Sequence, residues 1–271
     1  MGPCVTNALS SRLTAEVRRE GVRWAQEYTR GVASTPPTAV GPATGSGTAI
    51  AFWPDTDVFG TAQCSFAVLA ERFRELAFLN RGLGISLIDE RTPGGAARRM
   101  PFQAPGGTRD LVALLDAQVG SPVHPEVIGF EREDLRMAGN VEVALRWCGS
   151  RQERVRSFAN STRTPEGGAH ELGFRDGVAA AVTSYARQRR LLTGADPDLR
   201  ADQIGEGLTA VVSVKLDHPE YVGAALGGLG GAAVRPRVAE AVREHLGTWL
   251  EEHPEQAAAV VGGIIRRARR S

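Results

Sequence analysis

Several features that would assign this sequence to an obvious class are missing. Its three cysteines, Cys4, Cys64 and Cys148, lie far apart and form no CxxC pair. This spacing argues against a zinc site and against a disulfide framework. No stretch approaches the roughly 20 apolar residues that cross a bilayer, and no apolar run follows a basic start as in a signal peptide. We therefore expect a cytoplasmic protein with reduced thiols and no membrane partner.

The charge balance argues against a general nucleic-acid-binding protein. The formal net charge is only +1 over 271 residues. The chain as a whole therefore generates no field that attracts nucleic acid, although a local basic patch is compatible with this balance. Hydrophobic residues make up 42% and charged residues 23% of the chain. This composition is typical of a soluble globular protein with one large domain or two modest domains.

In the first part of the chain, apolar and polar residues alternate as in strands, and the apolar residues then recur at the spacing of a helix. Residues 14–19 and 22–28 are predicted to form a hairpin around Gly21, because glycine tolerates the positive φ of a tight turn. The other predicted elements of this part are a loop at 32–47, a strand at 48–53, a helix at 65–80 and a strand at 84–91. The residues predicted to share one face of the helix are Phe66, Leu69, Phe73, Leu76 and Ala77.

Residues 92–107 form a break in composition that is rich in proline and glycine. Clusters of these residues interrupt periodic segments and mark loops or linkers. We place the domain boundary here, near Ala104. The sequence therefore predicts a first domain at 1–103 and a second domain at 104–271.

The second part mixes helices and strands. The predicted helices are at 108–119, 170–191, 234–250 and 255–270, and the predicted strands are at 127–133, 141–148, 153–160 and 208–216. The two middle strands straddle Gly149-Ser150, so we expect them to pair as a hairpin. The residues predicted to face the core are Leu111, Leu114 and Leu115 on the first helix; Phe174, Val178, Ala181, Val182 and Tyr185 on the second; Val234, Val238, Val242, Leu246 and Trp249 on the third; and Val260, Val261, Ile264 and Ile265 on the fourth. This mixture predicts an α+β fold in each part.

Several segments, in order along nearly the whole chain, resemble the B protein of DNA gyrase and its relative in topoisomerase IV. The matching segments of the first part are VTNALSSRL at 5–13, GTAIAFWP at 47–54 and ELAFLNRG at 75–82. Those of the second part are SFAN at 157–160, EGGAH at 166–170, GFR at 173–175 and EGLTAVVSVK at 206–215. A series of matches in the family's order is far more specific than any single short motif.

The resemblance implies a fold and an activity. Residues 1–103 would be the C-terminal part of a truncated GHKL-type ATP-binding domain, a sheet plus a helix, and residues 104–271 a transducer domain of the ribosomal-protein β-α-β type. The family uses ATP and Mg²⁺, binds DNA, works with a gyrase A-like partner and forms a homodimer. It supercoils DNA by ATP-dependent strand passage, a type II topoisomerase (isomerase) reaction. The residues do not distinguish gyrase B from topoisomerase IV B.

The resemblance also implies roles for three residues near a nucleotide. Gly2 matches the last glycine of a phosphate loop, whose N–H groups face phosphate oxygens. Thr48 matches a threonine beside the adenine, and Arg19 an arginine at the pocket edge that coumarin inhibitors contact. Each has a plain structural alternative: a frayed terminus, a β-branched strand residue and a solvated charge beside a turn. The family's adenine-binding Asp, Mg²⁺-binding Asn and general-base Glu lie upstream of Met1, so we expect no catalytic and no metal-binding residue here.

The clearest departure from the family lies in a glycine-rich loop. The family has a Gln-Thr-Lys motif whose lysine reaches the terminal phosphate, whereas this chain has Ala-Ala-Leu at 224–226 and no charge between residues 222 and 234. Leu226 cannot offset phosphate charge as phosphoryl transfer requires. Lys215 and Arg235 are candidates to replace that lysine, or else ordinary solvated residues. We expect this chain to bind ATP very weakly and not to hydrolyse it.

Other motifs have a DNA-facing and a structural interpretation. Arg163 and Arg175 are the candidates to line a DNA cavity, because a phosphate contact needs only positive charge at the right depth; a solvated surface explains each equally well. The acidic-glycine motif at 166–168 suits the N-terminus of a helix, and His170 is expected to be a cap or a packed ring. The basic run at 266–270 suits the negative end of a helix dipole.

Two function classes stay open at this point. The first is a fragment or divergent form of an ATP-dependent topoisomerase that acts with pieces supplied by another chain. The second is a non-catalytic transducer-like module, or a gene relic, that binds a gyrase partner. The reading frame upstream of Met1 discriminates them, since an in-frame continuation encoding the missing Asp, Asn and Glu favours the longer enzyme.

Overall fold

The computed structural model describes residues 2–91, 97–117, 120–223 and 227–269. Its contacts divide the chain into two compact units, Met1–Phe66 and Ala67–Ser271. No helix within the described ranges has the length and apolarity needed to cross a membrane.

The first unit is a five-stranded antiparallel sheet with two short helices. Its elements are α1 (Pro3–Ala8), β1 (Ser10–Arg19), β2 (Val22–Thr29), β3 (Val32–Ala33), β4 (Thr38–Pro42), β5 (Gly47–Pro54) and α2 (Thr56–Phe59). The strand order is β3-β2-β1-β5, and β4 also pairs with β2. The predicted hairpin is confirmed, with Glu20 and Gly21 at φ values of 53° and 78°, as a tight turn between twisted strands requires. The predicted loop at 32–47 was wrong in part, because β3 and β4 lie within it.

The two faces of this sheet differ in chemistry. Leu13 on β1 lies opposite Phe52 on β5 and Tyr28 on β2. Side chains alternate along a strand, so Ile50 and Trp24 share this apolar face. Leu13 is buried, whereas Trp24, Ile50 and Phe52 are exposed. The opposite face carries most of the charged residues of β1 and β2, together with Trp53 of β5.

The second unit contains the remaining elements. They are α3 (Phe66–Leu79), β6 (Ile85–Asp89), β7 (Arg98–Phe102), α4 (Thr108–Asp116), β8 (Ile128–Asp134), β9 (Gly139–Trp147), β10 (Arg154–Ala159), β11 (Thr162–Arg163), α5 (Ala169–Gln188), α6 (Ala201–Ile204), β12 (Leu208–Leu216), β13 (Tyr221–Val222), β14 (Gly228–Leu229), α7 (Val234–Glu252) and α8 (Pro254–Ala268). Helix α3 starts at the last residue of the first unit, and β6 and β7 form a hairpin.

The main sheet of this unit has the order β11-β10-β12-β9-β8. The predicted pairing of residues 141–148 with 153–160 was wrong, because β12 lies between β9 and β10 and pairs antiparallel with β9 and parallel with β10. The reason is burial: every residue of β12 except Lys215 is buried, and an apolar strand covered on both faces is most stable in the centre of a sheet.

Two cores lie on opposite faces of this sheet. The larger core joins β8, β9 and β12 with α5, α7 and α8. The smaller one joins Ala144, Phe158 and Val211 with Leu79 of α3 and the inner face of α4. The stripes predicted for α5 and α8 are confirmed in full. Leu114 was predicted to face inward but is 41% exposed, and Trp249 is only partly buried.

Helices α5 and α7 approach each other through glycine. A Cβ added to Gly177 of α5 would lie 2.7 Å from the carbonyl oxygen of Ala239 and 2.7 Å from the Cβ of Val242 on α7. One turn earlier, Gly173 lies against the carbonyl of Arg235, and an added Cβ would also lie 3.1 Å from the Cβ of Val238. These distances are shorter than normal carbon contacts, so the helices pack backbone against backbone.

Candidate functional site

The predicted nucleotide-side residues lie in the first unit. Thr48 is exposed on β5 opposite Val17, which places it on the apolar face of the sheet. Gly2 precedes the six-residue helix α1, is exposed, and has open space where a Cβ would be. Arg19 ends β1 with its side chain 76% exposed and pairs with Glu20 at 2.9 Å. The contacts of these residues with a nucleotide or an inhibitor stay predictions.

A groove of about 310 Å³ lies beside α1 in the same unit. Its lining residues are Val5, Thr6, Leu9, Ser10, Phe52, Pro54, Phe59, Ala62, Gln63 and Cys64. None of these side chains is a formal cation or anion. The groove can therefore take an apolar ring, but it offers nothing that would neutralise phosphates.

The second unit contains a tight junction between the segment 166–168 and the segment 227–229. The amide of Glu166 donates to the carbonyl of Gly227 at 2.8 Å, and the amide of Leu229 donates to the carbonyl of Gly167 at 3.1 Å. Gly168 has a φ of 132°, and an added Cβ would lie 2.5 Å from the amide nitrogen of Leu229. Only glycine fits here, which explains the motif better than the helix dipole alone.

This junction holds the base of the loop in which the family has its lysine. The Ala-Ala-Leu segment 224–226, including Leu226, lies outside the described residues. On its two flanks, β13 and β14 pair, and the amide of Gly230 donates to the carbonyl of Glu220 at 2.7 Å. Arg235 pairs with Asp176 at 2.7 Å, so its charge is already engaged. Lys215 lines a different cavity, with Glu131 and Glu133.

A buried polar network connects the start of α5 to the main sheet. The Thr164 hydroxyl donates to the Ser157 Oγ at 2.9 Å and lies 3.1 Å from Nε2 of His170. Ser157 in turn donates to Glu171 at 2.8 Å. His170 is fully buried, and burial lowers its pKa to about 4, so the ring is neutral at physiological pH. His170 is thus a packed ring, whereas the sequence did not predict its hydrogen-bond network with Ser157, Thr164 and Glu171.

The two predicted DNA-facing arginines differ in environment. Arg163 is exposed on β11, at the edge of the sheet. The side chain of Arg175 is only 24% exposed, and its guanidinium pairs with Glu153 and, at 3.1 Å, with Glu171. The two carboxylates compensate its charge and give it a structural role. DNA contact by either residue stays a prediction.

Catalytic and metal-binding groups were not expected in this chain. Within the described ranges, no group of three or more His, Cys, Asp or Glu side chains is placed to hold a metal ion. Burial also lowers the pKa of His124 to about 4. It is buried between Trp147 and Trp249, at ring distances of 6.3 and 5.1 Å, as a core residue would be.

Comparison with known proteins relates this architecture to one family. A family model described as DNA gyrase B matches residues 107–271. The DNA gyrase B protein of Streptomyces coelicolor is 40% identical over 99% of this chain and 41% of its own length, and that of Mycobacterium tuberculosis is 34% identical over 99% of this chain and 43% of its own length. The chain thus spans about two fifths of the length of these curated relatives.

Solved structures agree with these matches. The 43K ATPase domain of Thermus thermophilus gyrase B, in complex with an aminocoumarin, has a TM-score of 0.84 and 29% identity over 97% of this chain and 70% of that one. The topoisomerase IV ATP-binding domain of Francisella tularensis has a TM-score of 0.84 and 25% identity over 99% of this chain and 72% of that one. The α+β fold class and the resemblance inferred from sequence are confirmed, and the chain belongs to the DNA gyrase B family.

Proposed function

We propose that this chain is the part of a gyrase-B-type, ATP-dependent DNA topoisomerase that relays the state of a bound nucleotide to the domains that bind DNA. We also propose that these 271 residues do not hydrolyse ATP by themselves. The observation that carries the proposal is its likeness to a gyrase B ATPase domain over 97% of the chain. The junction between 166–168 and 227–229 supports the relay, because it ties the base of the family's phosphate-sensing loop to α5 by two backbone hydrogen bonds.

The fit of these residues to ATP and Mg²⁺ is poor. The groove beside α1 has no charged lining, and the segment between 222 and 234 has no charged side chain. The described residues also provide no carboxylate cluster for a metal ion. Phosphoryl transfer needs cations that offset charge on the transferring group and a group that orients the nucleophile. The described residues therefore support no catalytic step on ATP.

On this proposal, the candidate site residues bind and position a nucleotide and DNA without taking part in catalysis. Thr48 presents its hydroxyl on the apolar face of the first unit, where it would contact a base. Gly2 would present its backbone N–H to a phosphate, and Arg19 would lie at the pocket edge. Arg163 and Arg175 would face DNA, Arg175 only after exchanging its carboxylate partners. DNA, a gyrase A-like protein and a second copy are the proposed partners, in the cytoplasm.

The domain boundary near Ala104 belongs to the same proposal. The start of the family match at residue 107 supports it. The compact units divide earlier, after Phe66, since Leu79 of α3 packs into the smaller core of the main sheet. We propose that α3 belongs to the ATP-binding domain by descent and packs with the transducer domain.

A non-catalytic module that binds a gyrase A-like partner is the second candidate. The uncharged segment between 222 and 234 favours it, because a module that does not sense phosphate needs no lysine there. Supercoiling assays with added chain separate the two candidates. A stand-alone module would inhibit an active gyrase by competing for its partner, whereas a chain that acts only when covalently joined to further domains would leave it unaffected.

The test of turnover is phosphate release by the purified chain with ATP and Mg²⁺. We expect a rate equal to that of a heat-treated sample, both for the natural chain and for a variant with Ala224→Gln, Ala225→Thr and Leu226→Lys, since the loop alone restores neither a base nor a metal ligand. Hydrolysis by the natural chain above that background would refute the proposal. Hydrolysis by the variant alone would show that the loop was the single defect.

A further inference from the structure

The outer side of β8 is an unpaired edge of the main sheet. β8 ends the strand order, and no other strand of the described ranges pairs with this side. The carbonyl oxygen of Gly129 instead accepts a hydrogen bond from the guanidinium of Arg109 on α4. A backbone acceptor that binds an N–H donor from outside the sheet is the kind of group that an added strand uses.

A groove of about 520 Å³ runs between this edge and α7. Phe130 on β8 stacks on His245 of α7, with ring centroids 4.2 Å apart and an interplanar angle of 13°. Trp249, one helical turn further, also lines the groove and stacks on His253 at 5.0 Å. The face of the edge that points to α7 is therefore aromatic, and it suits apolar side chains.

The opposite face of the edge is acidic. Glu131 and Glu133 follow Gly129 on the side of β8 away from Phe130, by the alternation of the strand, and both are exposed. Glu126 and Glu252 lie at the groove, and none of these four carboxylates has an ion-pair partner within 4.0 Å in the described part of the chain. Arg132 of β8 pairs with Glu244 of α7 at 2.7 Å and adds no net charge. The cations that line the two cavities are Arg109 and Lys215, so the four unpaired carboxylates and these two cations sum to −2.

We propose that this edge, β8 together with the groove lined by Phe130, His245 and Trp249, binds an extended segment of a partner protein whose side chains alternate between apolar and basic. Such a strand would place its apolar residues on the aromatic rings and its basic residues beside Glu131 and Glu133, while its backbone pairs with β8. The acidic charge disfavours DNA at this surface. It also disfavours pairing with β8 of a second copy, because like charges would face each other.

Arg109 acts as an internal competitor on this proposal. Its guanidinium occupies the Gly129 carbonyl and compensates part of the acidic charge. Loss of Arg109 should therefore strengthen binding of a basic strand, whereas loss of Glu131 and Glu133 should weaken it. Opposite effects of these two charge deletions on affinity distinguish strand addition from non-specific binding.

The test uses a fluorescein-labelled eight-residue peptide that alternates valine and lysine, and a matched peptide with glutamate in place of lysine. We expect anisotropy to show binding of the lysine peptide only, weakened by added salt, and hydrogen exchange at residues 127–133 to slow when it binds. The double variant Glu131→Gln/Glu133→Gln should bind about two- to tenfold more weakly, and Arg109→Ala at least about twofold more tightly. The control Glu71→Gln/Glu90→Gln removes the same charge elsewhere and should bind as the natural chain does.

Three outcomes would overturn the proposal. One is equal binding of the two peptides, or no binding of either. Another is binding that leaves exchange at 127–133 unchanged, which would place the peptide elsewhere. The third is self-association of the chain that is lost in Arg109→Ala or in the glutamine double variant, which would identify a second copy as the occupant of the edge.

Discussion

The contact between α5 and α7 predicts that the same substitution has opposite signs at two helical glycines. Gly177 of α5 faces the backbone of α7, and a Cβ there would lie 2.7 Å from the carbonyl oxygen of Ala239. Gly247 lies within α7, and an added Cβ would have nothing within 4 Å. Replacing either by alanine changes the helix in the same way and differs only in what the methyl group meets.

The magnitudes follow from two competing effects. Alanine is better than glycine in a helix interior by about 1 kcal/mol, which favours both variants equally. At Gly177 the methyl group must gain about 1 Å of space from a backbone that cannot rotate away, and overpacking of this kind costs about 1–3 kcal/mol. Separating α5 from α7 also weakens contacts along the seam. We expect Gly177→Ala to lower the free energy of unfolding by about 1–2 kcal/mol and Gly247→Ala to raise it by about 0.5–1 kcal/mol.

Urea unfolding followed by far-ultraviolet circular dichroism measures both values. The long helices α3, α5, α7 and α8 belong to the second unit, apart from the first residue of α3, so the helical signal reports that unit. The double variant Gly173→Ala/Gly177→Ala adds a further check, because helices already separated by one methyl group accommodate the second at lower cost. Its loss should therefore be smaller than the sum of the single losses. A Gly177→Ala chain that is as stabilised as Gly247→Ala would refute backbone contact between α5 and α7.

Two further predictions concern buried polar groups. Arg81 pairs at 2.7 Å with Glu142, which is 7% exposed and also accepts a hydrogen bond from Thr108. Since the Arg81 side chain is itself 41% exposed, we expect Arg81→Ala to lower the free energy of unfolding in urea by about 1–2 kcal/mol, and by much less in a Glu142→Gln background. Equal losses in the two backgrounds would contradict the pairing. The pKa of His170 is about 4 in the folded state against 6.5 ordinarily, so the unfolded state binds the extra proton between these values; the stability that His170 contributes is full above pH 6.5 and falls as the pH drops towards 4. His170→Asn should therefore flatten the dependence of the unfolding free energy on pH between pH 5 and 6.5. An unchanged slope would show that the ring is not held neutral.

Periodicity in the sequence was sufficient for the large buried elements. Helices α5, α7 and α8 and strand β12 lie within a few residues of their predicted positions, because each has enough buried apolar residues to show its period. Strand pairing was not readable in the same way. The turn at Gly149-Ser150 suggested that β9 pairs with β10, but β12 enters between them from a distant part of the chain. The residues of a turn do not indicate which strand has the most apolar surface to bury and therefore lies in the centre of the sheet.

The short strands were missed for a different reason. β4 is an exposed strand of five residues, and β7 contains Pro101, so neither shows the alternating apolar pattern of a half-buried strand. Their stability comes from pairing with β2 and β6, which is tertiary information. At the candidate site, the glycines of the 166–168 motif were visible in the sequence, but their partner was not. Nothing in a glycine-rich loop indicates that Gly168 contacts the backbone of Leu229.

These glycine contacts together explain how a loop displacement would reach the helices. Gly168 lies against Leu229, Gly173 against the carbonyl of Arg235 and Gly177 against that of Ala239. The contacts therefore continue from the junction of 166–168 with 227–229 along α5 and onto α7 without a side chain between the backbones. A flexible side chain absorbs a displacement by changing rotamer, whereas two backbones in contact must move together. On the proposed function, a chain without the family's lysine in this loop but with these glycines would lack the phosphate signal and keep the rigid connection that transmits it.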